Sequence, residues 1–138
     1  MVQKPPTQVE LIWEHDLVVG GSTGDVRLTF DSAGIAGPSP VQTLAFALAA
    51  CMAMDVVHIL RKGRYDLRGL KATFTGHRAP EAPRRFTSSE LHFTITGSVP
   101  DDQVQRAIDL SREKYCSVWH SMRQDIAFTV TFKVTGGL

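Results

Sequence analysis

The chain has 138 residues, 43% of them hydrophobic and 21% charged, with 15 Lys and Arg against 14 Asp and Glu for a formal net charge of +1. That length suits one domain, which buries about two-thirds of its unfolded surface and needs neither a metal nor a disulfide to fold. The only basic clusters are short (Arg61, Lys62 and Arg64; Arg84 and Arg85), so no phosphate-binding stripe forms and nucleic acid is excluded as an expected partner.

The first ten residues, MVQKPPTQVE, place two prolines where a secretory signal needs an unbroken apolar core, which predicts a cytoplasmic, reducing setting. Val9, Leu11 and Trp13 alternate with polar neighbours, as do Val26, Leu28 and Phe30, with the glycine-rich VGGSTGD between them. This pattern predicts an N-terminal run of antiparallel strands. SAGIAGPSP is loop. Ser39 and Pro40 then supply an N-cap and first-turn pair, and Gly63 a left-handed stop, for one helix of about 24 residues. Its longest apolar run, Leu44 to Met54, ends at Asp55 and falls short of the roughly 18 residues that span a bilayer, so a buried helix and no membrane partner are expected.

Beyond the helix, LRGLKATFTGH and RRFTSSELHFTITG carry apolar residues at period two and are separated by the proline-containing RAPEAPRR. They predict a strand pair. PDDQVQRAIDLSREKYC opens with acids and aligns Val104, Ile108 and Leu110, the mark of an amphipathic helix. Ile126, Phe128, Val130, Phe132 and Val134 alternate strictly in a last strand. The order β-β-α-β-β-α-β gives an α+β class, a single domain over residues 1–138, with a largely antiparallel sheet covering one long helix. That helix is apolar on every side, more than a chain of this size covers by itself, which predicts a homodimer.

The chemistry falls to the two cysteines, Cys51 in the long helix and Cys116 near the second. Leu44, Leu48, Cys51, Asp55, His58 and Lys62 fall on one ridge of the long helix, which changes from apolar to polar at Cys51. A thiol at that junction borders a greasy pocket on one side and polar groups on the other, as a nucleophile handling an apolar substrate requires. The plainer reading is packing, because a cysteine among alanines is usually a small core residue. Cys51 lies about three turns past the helix start, too far for the helix dipole to act on it, so activation has to come from another side chain. The five histidines show no ligand spacing with each other or with the cysteines, and no metal is expected.

The segments GPSPVQTLAFALAACMAMDVVHILRK and AIDLSREKYCSVW resemble the first-cysteine helix and the second-cysteine segment of the OsmC/Ohr family, the osmotically induced protein C and organic hydroperoxide resistance proteins. With the strand order, the resemblance covers nearly the whole chain and is strongest to the shorter OsmC-like branch. It implies antiparallel sheets wrapped around a long buried central helix in an intertwined homodimer. It further implies a thiol peroxidase acting on organic hydroperoxides in oxidative-stress defence, with Cys51 as nucleophile and Cys116 as resolving thiol. An external dithiol such as a lipoylated protein would reduce the resulting disulfide, with no metal or haem bound. Leu44, Leu48 and Asp55 are the expected substrate-pocket residues. Better-studied members carry a glutamate after the proline that opens this helix and an arginine in an N-terminal glycine-rich segment; here Val41 takes the first place and the second has no arginine. Arg27, the only arginine before Cys51, is the candidate activating cation, with Asp55 able to orient it and His58 a weaker alternative. Two other functions remain open on the same residues: a non-catalytic binder of small apolar ligands and a stoichiometric redox sensor.

Overall fold

In a computed structural model, residues 4–136 are described, and the chain divides into two compact units, Met1–Leu44 and Ala45–Leu138. The first holds an antiparallel sheet of three strands in the order β1 (Glu10–His15), β2 (Val18–Thr23) and β3 (Val26–Asp31). Here the structure departs from the sequence reading: the glycine-rich stretch taken as a connector is the central strand, pairing with β1 and β3 along its length. Packing explains why weak β-formers sit there. A Cβ on Gly21 would come within 2.8 Å of the Phe30 ring, so the missing side chain leaves room for an aromatic from β3. Gly24, at φ 56°, takes the left-handed position of the β2–β3 turn.

Among the described residues of this unit, Val18 is the only buried apolar side chain, whereas Leu11, Ile12 and Trp13 are 61 to 71% exposed. The loop after β3 is organised by the Asp31 carboxylate, which accepts the backbone N–H groups of Ala33 (2.9 Å), Ile35 (3.3 Å) and Ala36 (3.0 Å). Those donors hold Asp31 below the usual carboxylate range.

The long helix α1 (Pro40–Lys62) starts with a reciprocal cap. Gln42 N–H donates to Ser39 Oγ at 3.2 Å, and Ser39 N–H to Gln42 Oε1 at 2.9 Å, so two donors left over at the helix start are satisfied. At its other end Tyr65 N–H bonds to the Leu60 carbonyl and Arg64 N–H to that of Arg61, a Schellman closure. The left-handed residue is Arg64, at φ 61°, and not Gly63. Gly63 is small for a different reason: a Cβ there would lie 2.6 Å from the Tyr65 ring, which folds back over the helix end. Leu48, Met52, Val56 and Leu60 form an i, i+4 stripe that is fully buried, while Phe46 and Met54 are 67% and 70% exposed. The expected burial therefore holds for one stripe of α1. By length and composition α1 could cross a membrane, but this stripe belongs to the core of the second unit.

That core is built on a second three-stranded sheet, with β5 (Phe86–Ser98) between β4 (Asp66–Arg78) and β6 (Ala127–Gly136). Leu91, Phe93 and Ile95 of β5 have no exposed surface, as a central strand requires. β4 pairs with β5 antiparallel, but β6 runs parallel to β5. The connection between β5 and β6 carries α2 (Asp101–Leu110), a π-helical turn at Ser111–Tyr115 and the short α3 (Ser117–His120), and a crossover of that length brings the next strand back parallel. Val104, Ala107 and Ile108 are the buried face of α2. The fold is α+β, with two sheets and one long helix.

Candidate active site around the two thiols

Cys51 lies midway along α1, half-buried, and Cys116 lies at the N-cap of α3 with no exposed surface; both thiols are free. Cys116 Sγ accepts the backbone N–H of Trp119 at 3.4 Å. The neighbouring Ser117 hydroxyl stands 4.0 Å from Cys51 Sγ, so the residue after one cysteine is in reach of the other. The Cys116 thiol is pushed up to about 11, first by burial, against the Trp119 N–H that lowers it, and then by the adjacent Cys51 thiol and the Asp55 charge. At pH 7 about one Cys116 in ten thousand is ionised, so it stands as an S–H group.

Asp55 follows Cys51 by one turn of α1 and accepts the Ser111 hydroxyl at 2.7 Å. Ser111 is fully buried, and its carbonyl accepts the Cys116 backbone N–H at 2.7 Å. One serine thus ties the helix that carries Cys51 to the backbone of Cys116. Beside this junction the Arg112 guanidinium stacks over Phe128 at 5.1 Å and Trp119 at 5.8 Å, and the two rings pack together at 4.7 Å.

The ridge expected from the sequence is present on α1, and its members have different surroundings. Leu48 is a core residue without exposed surface, Leu44 is 40% exposed, and the Asp55 carboxylate is engaged by Ser111. His58 is exposed and lines an open groove of about 690 Å³ with Asp55, Lys62, Arg106 and Tyr115. Arg27 lies on β3 of the first unit, exposed, paired in register with Ser22 and in none of the ion pairs among the described residues. No group of three or more His, Cys, Asp or Glu side chains able to hold a metal occurs among the described residues.

Sequence reasoning missed Ser111 and Ser117. Ser111 did leave a signal: Val104, Ala107, Ile108 and Ser111 fall at i, i+3, i+4 and i+7, so a hydroxyl stands on the apolar stripe of α2, where it needs a partner. Ser117 left none.

The family model for OsmC-like protein matches residues 31–131, a span that includes both cysteines. The chain belongs to the OsmC-like family. Arg27 lies outside the matched span. Protein YhfA of Escherichia coli strain K12 is 39% identical over 121 residues, 87% of this chain and 83% of that protein. A hypothetical protein from Aquifex aeolicus VF5 superposes with a TM-score of 0.90 at 24% identity, covering 98% of this chain and all of that one. An organic hydroperoxide resistance protein OsmC from Legionella pneumophila, described as a predicted redox protein, superposes at 0.71 with 17% identity, covering 96% of this chain and 99% of that one. These superpositions place the two sheets and the long helix in the OsmC-like fold, whose structural neighbours include proteins of organic hydroperoxide resistance.

Proposed function

We propose that this OsmC-like chain is a cysteine-based thiol peroxidase that reduces organic hydroperoxides, with Cys51 as nucleophile and Cys116 as resolving thiol. The observation that carries the reading is the asymmetry of the adjacent thiols. Cys116 is fully buried and held protonated, whereas Cys51 is only half-buried and borders exposed helix surface. The Cys51 thiolate attacks one oxygen of the hydroperoxide and breaks the O–O bond, giving a Cys51 sulfenic acid and an alkoxide that takes a proton to become the alcohol. The Cys116 thiol then attacks the sulfenic sulfur, expelling its oxygen as water and leaving a Cys51–Cys116 disulfide. An external dithiol, such as that of a lipoylated protein, returns both thiols by two exchange steps and is itself oxidised to a disulfide. No bound metal or haem enters this cycle.

Arg27 is the proposed activating cation, and Leu44, Leu48 and Asp55 are proposed to border the substrate. The working unit in this reading is a homodimer in a reducing cytoplasm, supported by the exposed apolar residues of β1 and α1; light scattering at micromolar concentration should return twice the mass of one chain, and a folded monomer would refute this. The test of activity is consumption of cumene hydroperoxide by purified protein with dihydrolipoamide. Saturable turnover that is lost in Cys51→Ser is expected. Oxidation of one disulfide per chain without turnover would favour a redox sensor, and ligand affinity indifferent to Cys51→Ser would favour an apolar-ligand binder.

A further inference from the structure

We propose that the Asp55–Ser111 hydrogen bond is a positioning latch that seats Cys116 against Cys51 and sets the rate at which an adduct on Cys51 closes to the intramolecular disulfide. The inference rests on reading the two cysteines as a redox pair, and concerns the resolving step alone. Closing that disulfide means bringing the Cys116 sulfur along the axis of the bond that breaks at Cys51, to a final S–S length of about 2.05 Å. On its C-terminal side Cys116 is held by the Trp119 N–H on its sulfur at 3.4 Å, but the π-helical turn before it gives little support, because Glu113, Lys114 and Tyr115 are all exposed. The turn is pinned at its ends. Ser111, buried at the first position, donates its hydroxyl to Asp55 at 2.7 Å and accepts the Cys116 N–H on its carbonyl at 2.7 Å.

Asp55 in turn sits one helical turn beyond Cys51 on α1. A closed circuit results, from Cys51 along α1 to Asp55, through the Ser111 side chain and carbonyl to the Cys116 backbone, and back through the next residue, Ser117, whose hydroxyl stands 4.0 Å from the Cys51 sulfur. The i to i+5 bond of the π-helical turn is what lets one residue hold both contacts, and such turns commonly stand at functional positions. A hydroxyl on the otherwise apolar stripe of α2 serves no packing purpose that alanine would not serve, so its role lies in the bond to Asp55.

The closing step is measurable without hydroperoxide. With an aromatic disulfide reagent, Cys51 displaces one aryl thiolate and keeps the other aryl group as a mixed disulfide. Cys116 then attacks the Cys51 sulfur, releases the second aryl thiolate and gives its proton to solvent. Wild-type protein should show two phases of release. Ser111→Ala should leave the first phase unchanged and slow the second by at least about tenfold, with the same pH inflection and a lower plateau, while Ser111→Thr, which keeps the hydroxyl, restores the rate. An unchanged second phase in Ser111→Ala, equal slowing of both phases, a displaced inflection with the plateau kept, or a single phase in wild type would each overturn the latch. Should Ser111→Ala fail to fold, Ser111→Val against Ser111→Thr gives the same comparison, because the two side chains share a shape and differ in the hydroxyl. Biphasic release without hydroperoxide turnover would leave the latch standing and refute the peroxidase reading.

Discussion

Protonation of Cys116 is the point on which the division of labour between the thiols can be tested most directly. Burial, the Cys51 thiol and the Asp55 charge together push this group up to about 11, against the Trp119 N–H that pulls it down. At pH 8 about 0.1% of such a thiol is ionised, compared with about a quarter of an ordinary cysteine near 8.5, a difference of roughly 250-fold in available thiolate. Labelling the two cysteines with carbon-13 and following each Cβ resonance against pH reads the groups separately. Cys116 should titrate near 11 in wild type. In Cys51→Ala its midpoint should fall, because one of the causes raising it is gone, yet stay above the ordinary range because burial remains. The linkage has a definite sign: a thiol held protonated by the fold contributes stability in full below its unfolded pKa near 8.5, and loses it as pH rises toward 11. The folded state should therefore weaken across that window, and Cys116→Ala should flatten the decline. Ionisation of Cys116 at or below about pH 9 in folded wild type would refute the reasoning, because burial would then not be holding this thiol protonated.

Met52, fully buried in the stripe of α1, should cost about 2 to 5 kcal/mol when cut to alanine, read as a shifted urea midpoint with unchanged slope. Asp31→Asn removes a carboxylate that accepts three backbone N–H groups; because the fold lowers that carboxylate, its contribution is present above the ordinary carboxylate range and is lost as pH falls through the lowered value, so the variant should be less stable at neutral pH and lose less on acidification in thermal unfolding. Arg27→Ala should slow hydroperoxide turnover by at least about tenfold, near 1.4 kcal/mol of barrier, with an unchanged circular dichroism spectrum; unchanged turnover and unchanged pH dependence of Cys51 alkylation would remove Arg27 from the site.

Local periodicity was enough to read most element types in this chain. The alternation of Leu91, Phe93 and Ile95 and of Phe128, Val130 and Phe132 marks two strands, the Ser39–Pro40 start marks α1, and the two cysteine segments point to the OsmC-like family, because each of these signals lies within a few residues of chain. What tertiary structure decided depends on partners far away in sequence. Gly20 and Gly21 are poor strand formers by themselves, and β2 forms because β1 and β3 pair with it on both sides, with Phe30 of β3 filling the space beside Gly21. The parallel course of β6 depends on how α2 and α3 cross over, which no alternation of apolar residues encodes. Arg64 takes the left-handed position expected of Gly63 because the closing bonds run from Arg64 N–H to the Arg61 carbonyl and from Tyr65 N–H to that of Leu60, which puts the turn one residue later. In the site, sequence alone named Cys51, Cys116 and Asp55, but the bond from Asp55 to Ser111 and the approach of Ser117 to Cys51 join residues 56 and 66 positions apart. Burial is what gives the first of these contacts its weight, since the fully buried Ser111 hydroxyl needs an acceptor and only the folded chain brings Asp55 to it.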